Sequence, residues 1–124
     1  MPKILKTLIA DDDPEMRDLL KEILVDLGCH IDAEVDNGRD AINKIVLIQP
    51  DLAFIDIEMP IQSGLDVLEE IKGKAPQTYS IIVSGHSTIS NVKTALTLGA
   101  KGFVVKPYDS DKIKQILEKY YSEN

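Results

Sequence analysis

Four apolar runs of strand length in this 124-residue chain end in side chains that can do chemistry. Residues 4–10 run into Asp11-Asp12-Asp13, Leu52–Asp56 closes on an acid, Tyr79–Ser84 closes on a hydroxyl, and residues 103–105 are followed by Lys106. Asp56 is the sharpest of these. Pro60 stops regular structure soon after it, so Asp56 is expected where a buried strand reaches the surface. An ionised carboxylate at such a place is costly unless a cation, a metal or hydrogen bonds compensate it.

If these run ends meet, Asp11, Asp12 and Asp56 repel one another and each raises the proton affinity of the others. One magnesium ion and Lys106 would bring the formal charge of the group to zero. A ligand set of oxygens, with no histidine or cysteine, favours magnesium or manganese over zinc. Magnesium also keeps positions open for water or phosphate oxygens. A carboxylate nucleophile, a metal, an ammonium and a hydroxyl are the parts of in-line phosphoryl transfer. Asp56, standing singly at its strand end, is the nucleophile candidate, and Asp11 and Asp12 are the acids on the metal side.

The elements between these residues must bring them to one rim. Asp13-Pro14-Glu15 reads as a helix start, with Met16, Leu19, Leu20, Ile23, Leu24 and Leu27 at helical spacing and Gly28 as the stop. A weak alternating strand over residues 31–35 suggests a sheet edge, and a helix over 39–49 ends at Pro50. A third helix carries Leu65, Leu68 and Ile71. A fourth is defined by Ile89, Val92, Ala95 and Leu96, and a fifth spans about residues 110–121 with Ile113, Ile116, Leu117 and Tyr120. Five strands alternating with five helices predict an α/β fold, a doubly wound parallel sheet whose functional cleft lies beyond the carboxyl ends of the strands. Asp11, Asp12, Asp56, Ser84 and Lys106 occupy those ends.

Length and composition set the frame. The chain suits one domain over residues 1–124. A net charge of -7 argues against a nucleic-acid surface, and no apolar run approaches membrane-spanning length. The single cysteine, Cys29, reads as a small apolar filler and suits a reducing compartment, so the chain is expected in the cytoplasm without a membrane partner.

Ile9-Ala10-Asp11-Asp12-Asp13, Phe54-Ile55-Asp56-Ile57-Glu58-Met59-Pro60, Ile82-Val83-Ser84-Gly85 and Phe103-Val104-Val105-Lys106-Pro107 together resemble the receiver domain of bacterial two-component response regulators, in its single-domain chemotaxis-regulator form. The resemblance covers essentially the whole chain and implies a flavodoxin-like strand order 2-1-3-4-5. It implies that Asp56 accepts a phosphoryl group from a sensor histidine kinase or phosphotransfer domain. It further implies that Asp11, Asp12, Asp56 and the backbone carbonyl of Glu58 hold Mg2+ (or Mn2+). Ser84 and Lys106 would contact phosphoryl oxygens, Phe103 would be the aromatic switch, and the bond before Pro107 would be cis. Glu58 and His86, each two residues beyond a site residue, would tune phosphoryl lifetime. Such a protein is a signalling switch in a phosphorelay rather than an enzyme, catalysing only its own phosphorylation and dephosphorylation.

The surface of the fourth helix, fifth strand and fifth helix, including Thr88, Ser90, Lys93, Tyr108, Lys112 and Lys119, is then expected to meet a downstream protein or a second copy in a dimer. The chain reads as a stand-alone regulator or a receiver excised from a longer one. Two alternatives use the same residues differently. A haloacid-dehalogenase phosphatase would use the Asp-x-Asp within Asp11-Asp12-Asp13, and a receiver-shaped interaction module would never be phosphorylated.

Overall fold

The computed structural model describes residues 4–85 and 88–124. Its elements run β1 (Lys6–Ala10), α1 (Pro14–Asp26), β2 (His30–Val35), α2 (Gly38–Ile48), β3 (Leu52–Asp56), α3 (Gly64–Ile71), β4 (Tyr79–Ser84), α4 (Ile89–Thr97), β5 (Gly102–Val105) and α5 (Ser110–Glu123). All strand pairs are parallel, and the sheet order is β2-β1-β3-β4-β5, the expected order with β2 at an edge.

The sheet is covered on both faces, which is why its central strands are continuously apolar. Phe54, Ile81 and Val83 pack with Leu20 and Leu24 of α1 and Ile113 and Leu117 of α5 on one face. Ala53, Ile55 and Ile82 pack with Ala41 and Ile45 of α2, Leu68 of α3 and Ala95 of α4 on the other. Every residue of β3 is buried, Asp56 included. Cys29 is buried among the first set, as its reading as a filler requires.

Each helix begins on a side chain that satisfies an otherwise orphaned backbone N–H. Asp13 accepts from Glu15 N, Asn37 from Asp40 N, Ser63 from Asp66 N in a capping box, Thr88 from Asn91 N and Asp109 from Lys112 N. Gly28 takes the positive φ of 93° that ends α1.

Two expectations need correction, those for Leu19 and Tyr108, while the helix read from Ile89, Val92, Ala95 and Leu96 is present as α4. Ile89 and Leu96 are exposed at 77% and 53%, and Ala95 is the residue that α4 buries. The apolar spacing of α4 thus marks a helix correctly, and its Ile89 and Leu96 face outward. Leu19 is likewise exposed on α1. Tyr108 does not lie on the outer surface: it is buried, and its hydroxyl donates to the carbonyl of Met16 in α1 at 3.3 Å.

Candidate functional site

Strand register builds the site before any side chain is considered. Ala10 pairs with Ile55, so the next residue on each strand, Asp11 and Asp56, emerge side by side at the carboxyl end of the sheet. Val83 pairs with Asp56 and Ser84 with Val105, which puts Ser84 and Lys106 at the same end. The amide of Lys106 donates to the carbonyl of Ser84 at 2.8 Å, so the turn after β5 is tied to the end of β4. Ser84 is fully buried. The Lys106–Pro107 peptide is cis.

Lys106 joins the two strand-end acids. Its Nζ lies 2.8 Å from Asp56 Oδ2 and 2.9 Å from Asp11 Oδ2, and its side chain is 20% exposed. Backbone amides occupy the other two oxygens: Glu58 N donates to Asp56 Oδ1 at 3.1 Å and Asp13 N to Asp11 Oδ1 at 2.9 Å. Asp12 is exposed beside them, and one carboxylate oxygen from each of Asp11, Asp12 and Asp56 lies within 4.8 Å of the others.

The charge balance shows in the acidities. Burial pushes the Asp56 carboxyl up to about 6; the Lys106 hydrogen bond opposes that rise and the Asp11 charge adds to it. Burial works against the Lys106 ammonium, but hydrogen bonds and charge from Asp56 and Asp11 outweigh it and raise its pKa. The two shifts agree physically, because one ammonium is shared by two buried acids. The Tyr108 hydroxyl, below the site, is pushed up to about 12, first by burial and then by Asp11.

This donor set fits a hard divalent cation. All three side chains offer oxygen, and each engaged oxygen of Asp11 and Asp56 still has a lone pair to give. The acids also outnumber the ammonium, which leaves negative charge for a cation to neutralise.

The loop after β3 is held close by two glycines. A Cβ on Gly64 would collide with the backbone carbonyl of Asp56, and one on Gly38 with the carbonyl of Gln62. Gly64 N donates to Ile57 O at 2.8 Å and Gly38 N to Pro60 O at 3.3 Å, so the chain carrying Glu58 is pinned from both sides.

A response regulator receiver domain model matches residues 7–118. The chain belongs to this family. It is 38% identical over 116 residues to the chemotaxis protein CheY of Listeria monocytogenes, covering 94% of this chain and 98% of that one. In structure it resembles the signal receiver domain of NarL from Mycobacterium tuberculosis, with TM-score 0.90 and 27% identity over 97% of this chain and 98% of that one. It also resembles CheY of Borrelia burgdorferi in a complex with CheX, beryllofluoride and Mg2+, with TM-score 0.89 and 28% identity over 94% of this chain and 89% of that one. The chain is therefore a CheY-like receiver of two-component signalling, a class of switches that work between histidine kinases and downstream targets and bind Mg2+ in an acidic pocket. Membership sets aside the phosphatase alternative.

Of the sequence-predicted residues, Asp11, Asp12, Asp56 and Lys106 form one cluster, and Ser84 stands at the same sheet end. Phe103 is half-buried against the α2–α4 side of the core and lines a groove of about 400 Å³ with Lys112, Gln115, Ile116 and Lys119. Glu58 is exposed at the rim. His86 lies outside the described residues. Sequence reasoning missed Arg17, whose Nη1 donates to the backbone carbonyl of Asp11 at 2.7 Å.

No helix among the described residues is long and apolar enough to cross a membrane.

Proposed function

We propose that residues 1–124 act as one receiver domain in which Asp56 is the phosphoacceptor and phosphorylation changes the α4-β5-α5 surface. The observation that carries this reading is the ammonium of Lys106 shared between Asp56 and Asp11 beside a third acid. An aspartate with an ordinary structural role has no need of such surroundings.

A carboxylate oxygen of Asp56 attacks phosphorus, the bond to the donor's histidine nitrogen breaks, and the electron pair leaves with that nitrogen. An acyl phosphate on Asp56 results. Asp11, Asp12, Asp56 and the backbone carbonyl of Glu58 would hold Mg2+, or Mn2+ in its place, and the ion when bound supplies neutralising charge to the phosphoryl oxygens. Lys106 exchanges its carboxylate partner for a phosphoryl oxygen, and the Ser84 hydroxyl donates to another. Hydrolysis returns the carboxylate by attack of water on phosphorus, at a rate that Glu58 and His86 tune. No other turnover is assigned to the chain.

Phosphorylation adds about 1.5 to 2 negative charges, which draws Ser84 and Lys106 inward. Because the Lys106 amide is bonded to Ser84, this movement is transmitted along β5 to Phe103. Phe103 moves against the groove beside α5, and the exposed Ile89 and Leu96 of α4 complete an apolar surface for a downstream protein or a second copy in a dimer. The phosphodonor is a sensor histidine kinase or phosphotransfer domain, and the compartment is the cytoplasm.

Beryllofluoride with Mg2+ tests the reading. Amide shifts are expected around Asp56, Ser84 and Lys106 and onward to Phe103 and α4. Shifts confined to the acid cluster would remove the switch.

A further inference from the structure

Asp11 is held from four directions. Its amide donates to Val35 O on β2 at 3.1 Å, one carboxylate oxygen accepts from Asp13 N, the other meets Lys106, and its carbonyl accepts from Arg17 Nη1 at 2.7 Å. The last contact differs in kind, because that carbonyl belongs to the peptide joining Asp11 to Asp12. Fixing the plane of this peptide fixes where the Asp12 backbone starts and hence where its exposed carboxylate can reach.

Arg17 is itself held in place. It sits one turn into α1, and its Nε is 4.0 Å from Glu34 Oε1 on β2; Glu34 also pairs with Lys21 at 3.0 Å. One planar guanidinium thus faces Asp11 O with one nitrogen and Glu34 with another, a two-sided arrangement that a lysine ammonium reproduces poorly. Beside it runs a surface groove of about 460 Å³ lined by Arg17, Glu34, Val35, Asp36, Asp40 and Lys44. Shortening Arg17 would enlarge this groove rather than let a neighbour fill its place.

We propose that Arg17 is a positioning residue for the metal site, setting Mg2+ affinity by holding the Asp11–Asp12 peptide while touching neither the ion nor the phosphoryl group. The inference rests on the reading of Asp11, Asp12 and Asp56 as metal ligands. Groups that orient metal ligands from outside the ligand set typically change affinity by about 10- to 100-fold when removed.

Magnesium chloride titrated into the full chain, followed by amide chemical shifts, tests this. Arg17→Ala is expected to raise the Mg2+ Kd about tenfold. Arg17→Lys should fall between it and wild type. Lys21→Ala, which removes the other cation on Glu34 without touching Asp11, should stay within about twofold of wild type. The metal-free thermal midpoint separates positioning from support: it falls in both Arg17→Ala and Lys21→Ala, while only Arg17→Ala weakens Mg2+ binding. If the spectrum of Arg17→Ala is that of an unfolded chain, Arg17→Lys carries the comparison, with about threefold weakening expected at unchanged dispersion. Wild-type affinity in the Arg17 variants, or equal loss in Lys21→Ala, overturns the inference alone. Absence of Mg2+ binding by the wild-type chain overturns the metal-site reading and this inference with it.

Discussion

Lys106 Nζ lies 2.8 Å from Asp56 Oδ2, an ion pair that closes the sheet from β5 to β3 across the end of β4. The same ammonium reaches Asp11 at 2.9 Å. Substituting Lys106 with Met leaves two buried carboxylates facing each other without a cation. We expect a loss on the order of 3 kcal/mol at neutral pH, read by urea denaturation without metal, because removing one partner of a buried pair strands the other. The loss should shrink at acid pH, where one of the acids takes up a proton.

Asp56 itself destabilises the metal-free fold at neutral pH. Its carboxyl is raised from 3.8 to about 6 in the folded chain. The folded state therefore binds more protons than the unfolded state between those values, and stability falls as pH rises through that window. Asp56→Asn should flatten the pH dependence in that window and be more stable than wild type at pH 7 by about 1–2 kcal/mol, the full linkage value being discounted for the partly exposed Lys106. Denaturation midpoints of the two proteins at about pH 4.5 and pH 7 check this.

Mg2+ should reverse that penalty. An ion that binds only the folded state at 100 times its Kd adds about 2.7 kcal/mol, and chelation should remove the gain. Affinity should increase as pH rises through about 6, because Asp56 must shed its proton to become a ligand. Calorimetric titration of wild type and Asp12→Asn at two pH values gives the test: the variant should lose most of the binding.

Gly64→Ala should cost about 2 kcal/mol or more, since its Cβ would enter the space of the Asp56 carbonyl and one or both backbones must shift. Because the displaced atom belongs to Asp56, labelling of that residue should slow as well. Tyr79→Phe separates stability from the site. It removes a 3.0 Å hydrogen bond to Glu123 Oε2 far from Asp56, so it should cost about 1 kcal/mol and leave labelling unchanged.

How much of this was legible in the chain depended on whether a residue's type betrayed its surroundings. Asp56 could be found because an acid ending an apolar run demands a partner, and Asp11, Asp12 and Lys106 because strand ends in a parallel sheet share a rim. The helix cap Asp13 acts through local backbone geometry that sequence spacing preserves. Arg17 acts on a backbone carbonyl, and a carbonyl leaves no mark in the sequence. Tyr108 follows Pro107 in a loop, so its return under α1 depends on tertiary packing. The apolar residues of α4 have helical spacing whether they face the core or the solvent, and only the packed sheet separates the two.

Labelling with acetyl phosphate in the presence of Mg2+, followed by mapping of the modified residue, decides whether Asp56 is the phosphoacceptor. One phosphoryl group per chain is expected, carried by Asp56, dependent on Mg2+ and absent in Asp56→Asn. Equal labelling of Asp56→Asn, or a folded wild-type chain that binds Mg2+ yet takes up no label, would contradict it.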